Sequence, residues 1–519
     1  MSEATTSTVP RPNLRVVLPG LMLAMLLAML DNMIVSTALP RIVGELSGLD
    51  HFSWVVTAYI LGMTVSTPIW GKLGDLYGRK TVFLTAIVVF LIGSALCGMS
   101  QSMEQLIGFR ALQGLGAGGL MVSVMAIIGD LVPPRERGKY QGQIAAVMAI
   151  AMIAGPLVGG FITDNLSWRW AFYVNLPLGG IALLVLIATL RLPKYRTEHR
   201  IDWVGAVLLS VGITALVLIT TWGGSQYAWA SAEILGLAAL AAVTLALFLV
   251  VERRVPEPII PLRTFANRNF SLVAVMGFLV GFAMFGAVAF LPLYQQTVQG
   301  ASATGSGLLL LPMMAGLLVT SVIGGKMITK TGRYKAVPVL GGVVMAIGMV
   351  LLSLLDEHTS KTLSSAYMLV LGIGMGGLMQ TTMLIAQNSV AQRDLGVASS
   401  VATFCRSIGG SFGVALFGAI FSHRLQDDLA AKLGPAAVGL TDGGAELDPG
   451  MLDRLDAPVR EAFLHAVAFA TSGVFGWAVL FAVAVPVLAI FIKEVPLRGY
   501  GDGAASDAKA ELVEPAVTA

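Results

Sequence analysis

Three charged residues in this chain stand inside long apolar runs, Asp31, Arg110 and Arg406, and Gln113 lies beside Arg110. A carboxylate at membrane depth is costly unless it is paired, hydrated or protonated. An acid at the edge of a helix, in the headgroups, is the plainer explanation of Asp31. Apolar residues flank it on both sides, however, and Pro40, where the helix is expected to end, comes later. Asp31 therefore reads as a functional carboxyl facing a cavity or pathway, able to bind and release a proton. Arg110 opens an apolar run; it either snorkels to the external face or is buried and needs carboxylate, carbonyl or water partners. Gln113 lies three residues on, on the same helical face. Arg406 can bind an anionic group or balance a carbonyl-rich helix end, and the pattern leaves both open. With Asn32, which follows Asp31, it is a candidate for a substrate cavity.

Enzyme chemistry finds no such support. The five histidines, His51, His199, His358, His423 and His465, are scattered among loops and span edges. No metal-spaced cluster and no nucleophile–base pairing stands out, so no catalytic residue, metal or cofactor is expected. Cys97 and Cys405 both lie in apolar runs and suggest neither a disulfide nor a metal site.

Two glycine-rich strings could position these charges. Gly71–Lys80 reads GKLGDLYGRK, a compact turn in which Asp75 can cap a following helix or pair with a cation across an interface. Residues 151–160 read AMIAGPLVGG. Gly155 and Gly159 make a small-xxx-small packing face, Pro156 permits a bend, and Gly160 closes the string. Ordinary tight packing would be reason enough for these glycines.

The elements that must hold such residues are membrane helices. The chain has 519 residues, 56% hydrophobic and 12% charged, with mean hydropathy +0.81; a soluble chain carries roughly twice that charged fraction. Fourteen apolar spans are expected, near 16–39, 52–71, 81–99, 105–129, 141–163, 172–190, 204–222, 232–250, 270–293, 303–325, 336–355, 364–386, 396–422 and 463–492. Of the 33 Lys and Arg, 24 fall on the side of the amino terminus, which predicts that both termini are cytoplasmic. Net charge is +3, and its bunching in short loops fits topology better than nucleic-acid binding. Residues 423–462 read as an external loop, a flexible hairpin or short amphipathic helices, and 497–519 as a disordered tail.

The spans repeat. GKLGDLYGRK has an echo in Gly325–Tyr334, GKMITKTGRY, 254 residues later, and Gly114, Gly116, Gly118 and Gly119 match Gly372, Gly374, Gly376 and Gly377 at an offset of 258. The predicted organisation is a cytoplasmic tail (1–15), a six-helix bundle (16–190), two inserted helices with flanking loops (191–269), a second six-helix bundle (270–492) and a tail (493–519). Duplicated halves point to a transporter with its site between them.

Gly71–Lys80 resembles the loop-2/3 signature of the major facilitator superfamily, G-x-L-x-D-R-x-G-R-K, with Leu76 in place of Arg. In that family the segment is a conformational latch, which would assign Gly71, Asp75, Gly78 and Arg79 to it. Arg110–Gly116 resembles the R-x-x-Q-G-x-G string associated with proton coupling, and 151–160 the antiporter motif, with Ala151 at its first glycine. Leu30–Pro40 (LDNMIVSTALP) and Trp168–Pro177 (WRWAFYVNLP) are similar to strings of the fourteen-helix drug–proton antiporter branch, the QacA and EmrB type. The resemblance implies an all-α polytopic fold and export of lipophilic small molecules in exchange for protons. Asp31, Arg110 and Gln113 would couple the proton, in a monomer surrounded by membrane lipid in a bacterial-type cytoplasmic membrane. Uptake by symport, and transport of one specific metabolite or lipid, are the alternatives.

Overall fold

In the computed structural model, the described residues are 14–46, 52–190, 202–224, 226–301, 303–391, 394–433 and 456–497. They are almost wholly helical: α1 (Leu14–Leu46), α2 (Phe52–Tyr77), α3 (Arg79–Met99), α4 (Met103–Leu131), α5 (Pro134–Asn165), a short α6 (Trp170–Tyr173), α7 (Asn175–Thr189), α8 (Trp203–Trp222), α9 (Ala232–Glu252), α10 (Arg268–Thr297), a short α11 (Ala303–Leu309), α12 (Leu311–Thr331), α13 (Ala336–Leu352), α14 (Lys361–Asn388), α15 (Leu395–Leu433) and α16 (Ala457–Ile490). Backbone groups in a bilayer must be satisfied within the segment, and helices do this. Their starts carry the expected caps: Ser102, Asp202, Ser231, Asn267 and Ser360 each accept from a backbone N–H of the first turn.

Among the described residues twelve helices are long and apolar enough to cross a membrane. Two more occupy the positions of expected spans 2 and 11. One is α2, whose core is broken up by Thr, Ser, Pro and Trp residues; the other is α13, an apolar helix of 17 residues. Two boundaries differ from expectation. Helix α1 runs through Pro40 to Leu46; a membrane helix tolerates proline because neighbouring groups re-satisfy the freed backbone. The segment expected as a loop from 423 is helical through Leu433, where His423–Asp427 and Asp428–Lys432 pair at i,i+4. Residues 434–455 of that loop, the loop 191–201 and both tails lie outside the described residues.

The helices form two like groups around separate cores. Leu21, Tyr59, Phe83, Phe90 and Val124 centre the core of α1–α7, with a satellite around Trp168 and Phe172. Met313, Met345, Met368, Phe417 and Phe475 centre that of α10–α16. Helix α4 crosses α2 at Gly114, where a Cβ would collide with the Tyr59 carbonyl; α14 crosses α12 at Gly372, where it would collide with that of Met313. Gly93 backs onto Gln113 as Gly348 backs onto Leu371. The internal repeat is thus a repeat of backbone crossings. Of the inserted pair, α8 buries Leu209, Ile213 and Val217 in the second core and sets Trp222 edge-on to Trp54 of α2, 5.4 Å between centroids.

Candidate functional site

Asp31 on α1 and Arg110 on α4 meet inside the first group, both with no exposed surface. The close crossings at Gly62, Gly114 and Gly118 draw α4 against α2 and so bring Arg110 to this depth. Arg110 Nη1 donates to Asp31 Oδ2 at 2.6 Å and to Gln113 Oε1 at 2.8 Å. Gln113 Nε2 donates to Asp31 Oδ1 at 2.8 Å, an oxygen that also accepts from Asn175 Nδ2 at 2.6 Å. Arg110 Nε reaches the Val55 carbonyl at 3.2 Å, and its guanidinium lies 4.1 Å from the centroid of the Tyr59 ring. Arg110 is therefore buried and paired, and does not snorkel.

Asn175 and Ser94 complete the cluster, and neither was assigned to it from the sequence. Asn175 heads α7 and also donates to Ser94 Oγ at 2.9 Å; Ser94 Oγ donates in turn to the Phe172 carbonyl at 2.8 Å. The available signal was Asn175's place in the string WRWAFYVNLP; Ser94 carried none. An ionised Asp31 accepts from all three donors. Protonation turns one acceptor site into a donor and removes the counter-charge of Arg110. The Asp31 carboxylate thus joins α1 to α4 and α7.

The antiporter-like string lies against the next turns of α1. A Cβ at Gly155 would strike the Met33 side chain, and one at Gly159 would come within 3.0 Å of the Ile34 carbonyl and of Thr37 Cβ. Gly160 faces open space, and Pro156 lies within the helix α5. Asn32 keeps a buried side-chain oxygen without a partner among the described residues.

Gly71, Asp75, Gly78 and Arg79 gather elsewhere, where the two groups of helices touch. Asp75 accepts from the backbone N–H groups of Gly396 at 3.1 Å and Val397 at 2.9 Å, so it caps α15 from across the interface. Arg79 Nη2 holds Asp75 at 2.9 Å and Arg79 Nη1 holds Asp130 at 2.5 Å. Gly78 has φ +92°, in the left-handed region that favours glycine. A Cβ on Gly71 would lie 2.6 Å from Ser400 Oγ, so α2 and α15 touch through their glycines. Asp75 lies beyond the apolar run 52–71. Burial pushes its carboxyl up to about 6, against the pull of Arg79 and the two backbone N–H groups. Nearby, Arg137 donates to the carbonyls of Gly129 and Val132 at the end of α4, and burial pulls it down to about 10.

Arg406 stands apart from Asp31, in the second group. It lines a narrow cavity with Val273, Gly277 and Val280 of α10, Met379, Thr382 and Met383 of α14, and Ala402 of α15.

Two like halves of membrane helices, clasped at one end and carrying a sealed ion pair in one of them, define a multi-pass membrane transporter. The chain belongs to the Major Facilitator Superfamily, whose profile matches residues 21–414. It is 44% identical over 491 residues to an uncharacterized MFS-type transporter of Mycobacterium tuberculosis, covering 94% of this chain and 71% of the relative. It is 37% identical over 491 residues to multidrug resistance protein 3 of Bacillus subtilis, covering 93% and 95%. Its fold is similar to the crystal structure of the human organic anion transporter MFSD10, with TM-score 0.61 at 14% identity, covering 91% of this chain and 100% of that one. Proteins of this superfamily are transporters and not enzymes.

Proposed function

We propose that the protein exports lipophilic small molecules across a bacterial cytoplasmic membrane in exchange for protons, as a member of the fourteen-helix drug–proton antiporter branch. The observation that carries this reading is the sealed Asp31–Arg110–Gln113–Asn175 cluster, a single carboxylate held at the centre of one half with no exposed surface. Fourteen spans follow if α2 and α13 cross with the twelve longer and more apolar helices. The Lys and Arg asymmetry then puts both termini in the cytoplasm, and the Asp75 clasp closes the cytoplasmic face. Proton uptake from outside frees Arg110 from its counter-charge and loosens α1 against α4 and α7. Proton release inside restores the pair. Substrate and proton compete for the inward-facing state, and the gradient thus drives efflux. Relatives named as a multidrug resistance protein and as efflux pumps support export over uptake.

The test is Asp31→Asn in everted vesicles. Asn keeps the shape and removes proton exchange, so dye export driven by an imposed pH gradient is expected to vanish while the protein is still made and inserted. Gradient-driven export at the wild-type rate would remove Asp31 from the mechanism.

A further inference from the structure

The second half carries one intramembrane charge, Arg406, and what surrounds it decides between the two roles its sequence allows. Helix α15 begins at Leu395, so Arg406 stands three turns inside it. At that depth the helix's own carbonyls are engaged in its ladder, and no carbonyl-rich helix end lies there for the guanidinium to balance. Among the described residues no carboxylate or carbonyl is within hydrogen-bonding distance of its side chain, in contrast to Arg110, which has Asp31, Gln113 and Val55. Nor do the walls supply a distant counter-charge. Helices α10 and α14 contain no acid at all, and the first acid of α15 is Asp427, about 30 Å along the helix from Arg406.

The position is built. Helices α10 and α15 cross backbone to backbone: a Cβ on Gly281 would collide with the Arg406 carbonyl, and one on Gly409 with that of Phe278. This crossing fixes the backbone of Arg406, and its side chain, half-buried, lines the cavity among Val280, Met379, Thr382 and Met383. The cavity lies at the seam, since Met383 belongs to the first half's core and Ala402 packs against both. It is narrow, with room for about one water-sized group beside the guanidinium, so a headgroup enters it as the halves part. The repeat sharpens the point. At the offset of 254 that aligns the two glycine strings, Arg406 corresponds to Met152, an apolar residue, so the cation is an addition to the shared scaffold.

A half-buried guanidinium held at membrane depth without a protein partner is left to water or to a ligand anion, and an anion offsets its desolvation far better. The carboxylate of Asp31 cannot serve, because it is closed within its own cluster. Resting on the export reading above, we infer that the cavity at Arg406 receives the headgroup of an amphiphile bearing a single anionic group, a sulfonate, carboxylate or phosphate, whose apolar body lies between the halves. Each of these anions presents a pair of oxygens that matches the two-pronged donor face of arginine.

The experiment uses purified full-length protein in detergent and two probes with the same aromatic skeleton: anionic 8-anilinonaphthalene-1-sulfonate and neutral N-phenyl-1-naphthylamine. Fluorescence titrations are corrected with protein-free micelles. In Arg406→Gln the sulfonate is expected to bind about tenfold more weakly and the neutral amine to change by less than about twofold, since a hydrogen bond to a charged group is lost for one probe only. Arg406→Lys should keep most of the sulfonate affinity. Equal losses for both probes, or none for the sulfonate, would overturn the inference. Should the Gln variant fail to fold, the wild type decides: octanesulfonate is expected to displace the bound sulfonate and octanol at the same concentration is not. Equal displacement by both would overturn it too. Adding phosphatidylglycerol to the micelles separates two sources of the anion, since competition identifies a lipid headgroup as an occupant and its absence identifies a soluble cargo; either result leaves the anion site standing. These measurements need no proton gradient. Absence of gradient-driven export in the wild type would therefore defeat the antiport reading and leave the Arg406 result to stand or fall alone.

Discussion

Helices α4 and α14 are the same object with different chemistry. Both carry the spaced glycines, and both cross their neighbours through them: Gly114 on Tyr59 and Gly372 on Met313, Gly116 on Phe90 and Gly374 on Met345. At the positions facing inward from those crossings the two part company. Arg110 corresponds to Met368 and Gln113 to Leu371. Where Arg110 binds Asp31, Met368 meets Gln295, whose Nε2 donates to Met368 Sδ at 3.5 Å. The halves therefore separate two demands on one architecture. Close helix approach is needed twice, because both bundles must be rigid bodies. A buried ion pair is costly, and among the described residues it occurs in one half only. On the proposed mechanism a transporter that couples one ion needs one place to hold it, and the second half is free to present the different charge inferred for Arg406 to its cargo.

The largest effects should be symmetrical. Gly114→Val and Gly372→Val each push a branched side chain into a backbone carbonyl with no room to give. Both are expected to abolish correctly folded protein, measured as the monodisperse fraction after detergent extraction. If either variant folded normally while the other failed, the halves would not share the same structural dependence on glycine. The next effects should be unequal. Arg110→Ala strands the Asp31 carboxylate in apolar surroundings, a change worth about 3–5 kcal/mol for a buried pair, and is expected to eliminate gradient-driven export. Met368→Ala removes thioether packing and a weak hydrogen bond, and should leave export within about threefold of wild type at equal expression. Equal loss from both would mean that Arg110 serves packing alone.

Much of this was legible in the residues. Asp31, Arg110 and Gln113 announce themselves because a charge in an apolar run has to be accounted for, and the glycine spacing announces the repeat. Asn175 is another matter. An amide is cheap enough in a membrane helix to pass unremarked, and its role depends on the start of α7 arriving beside α1 and α3, a long-range contact that no local pattern encodes. Arg406 was visible as a charge and as a candidate for a substrate cavity, with an anion site and a helix end both left open; the emptiness of α10 and α14 of acids, together with their placement around it, is what argues for an anion. The continuation of α15 to Leu433 could have been read from His423–Asp427 and Asp428–Lys432, pairs at helical spacing that a count of acids in a loop obscures. Pro40 misleads because the rule that proline stops helices comes from water, where a freed carbonyl finds solvent instead of a neighbouring helix.

The smallest expected effect concerns the clasp, and it too contrasts the halves. Asp75 has Thr329 as its counterpart in the second half, so only one of the two glycine strings carries a carboxyl. The groups facing Asp75 are Arg79 and the N–H groups of Gly396 and Val397, with Asp130 on the far side of Arg79. Clasped, its carboxyl is pushed up to about 6 from an ordinary 3.8, because burial outweighs those partners. A carboxyl released to solvent returns toward the ordinary value. The clasped state is then the tighter proton binder, and linkage requires it to gain as pH falls from about 6 toward about 4. The ionised clasp that holds near neutrality is accordingly a weakened one, as the proposed opening in every cycle would need. Spin labels on exposed positions of α3 and α12 near that face, such as Thr81 and Thr331, would report this as a growing short-distance population on acidification, a few-fold at most. Asp75→Asn cannot titrate and should lose that part of the response while still binding dye. A short-distance population that shrinks on acidification in the wild type, and not in Asp75→Asn, would reverse the sign and show that the ionised carboxylate is what holds the halves together.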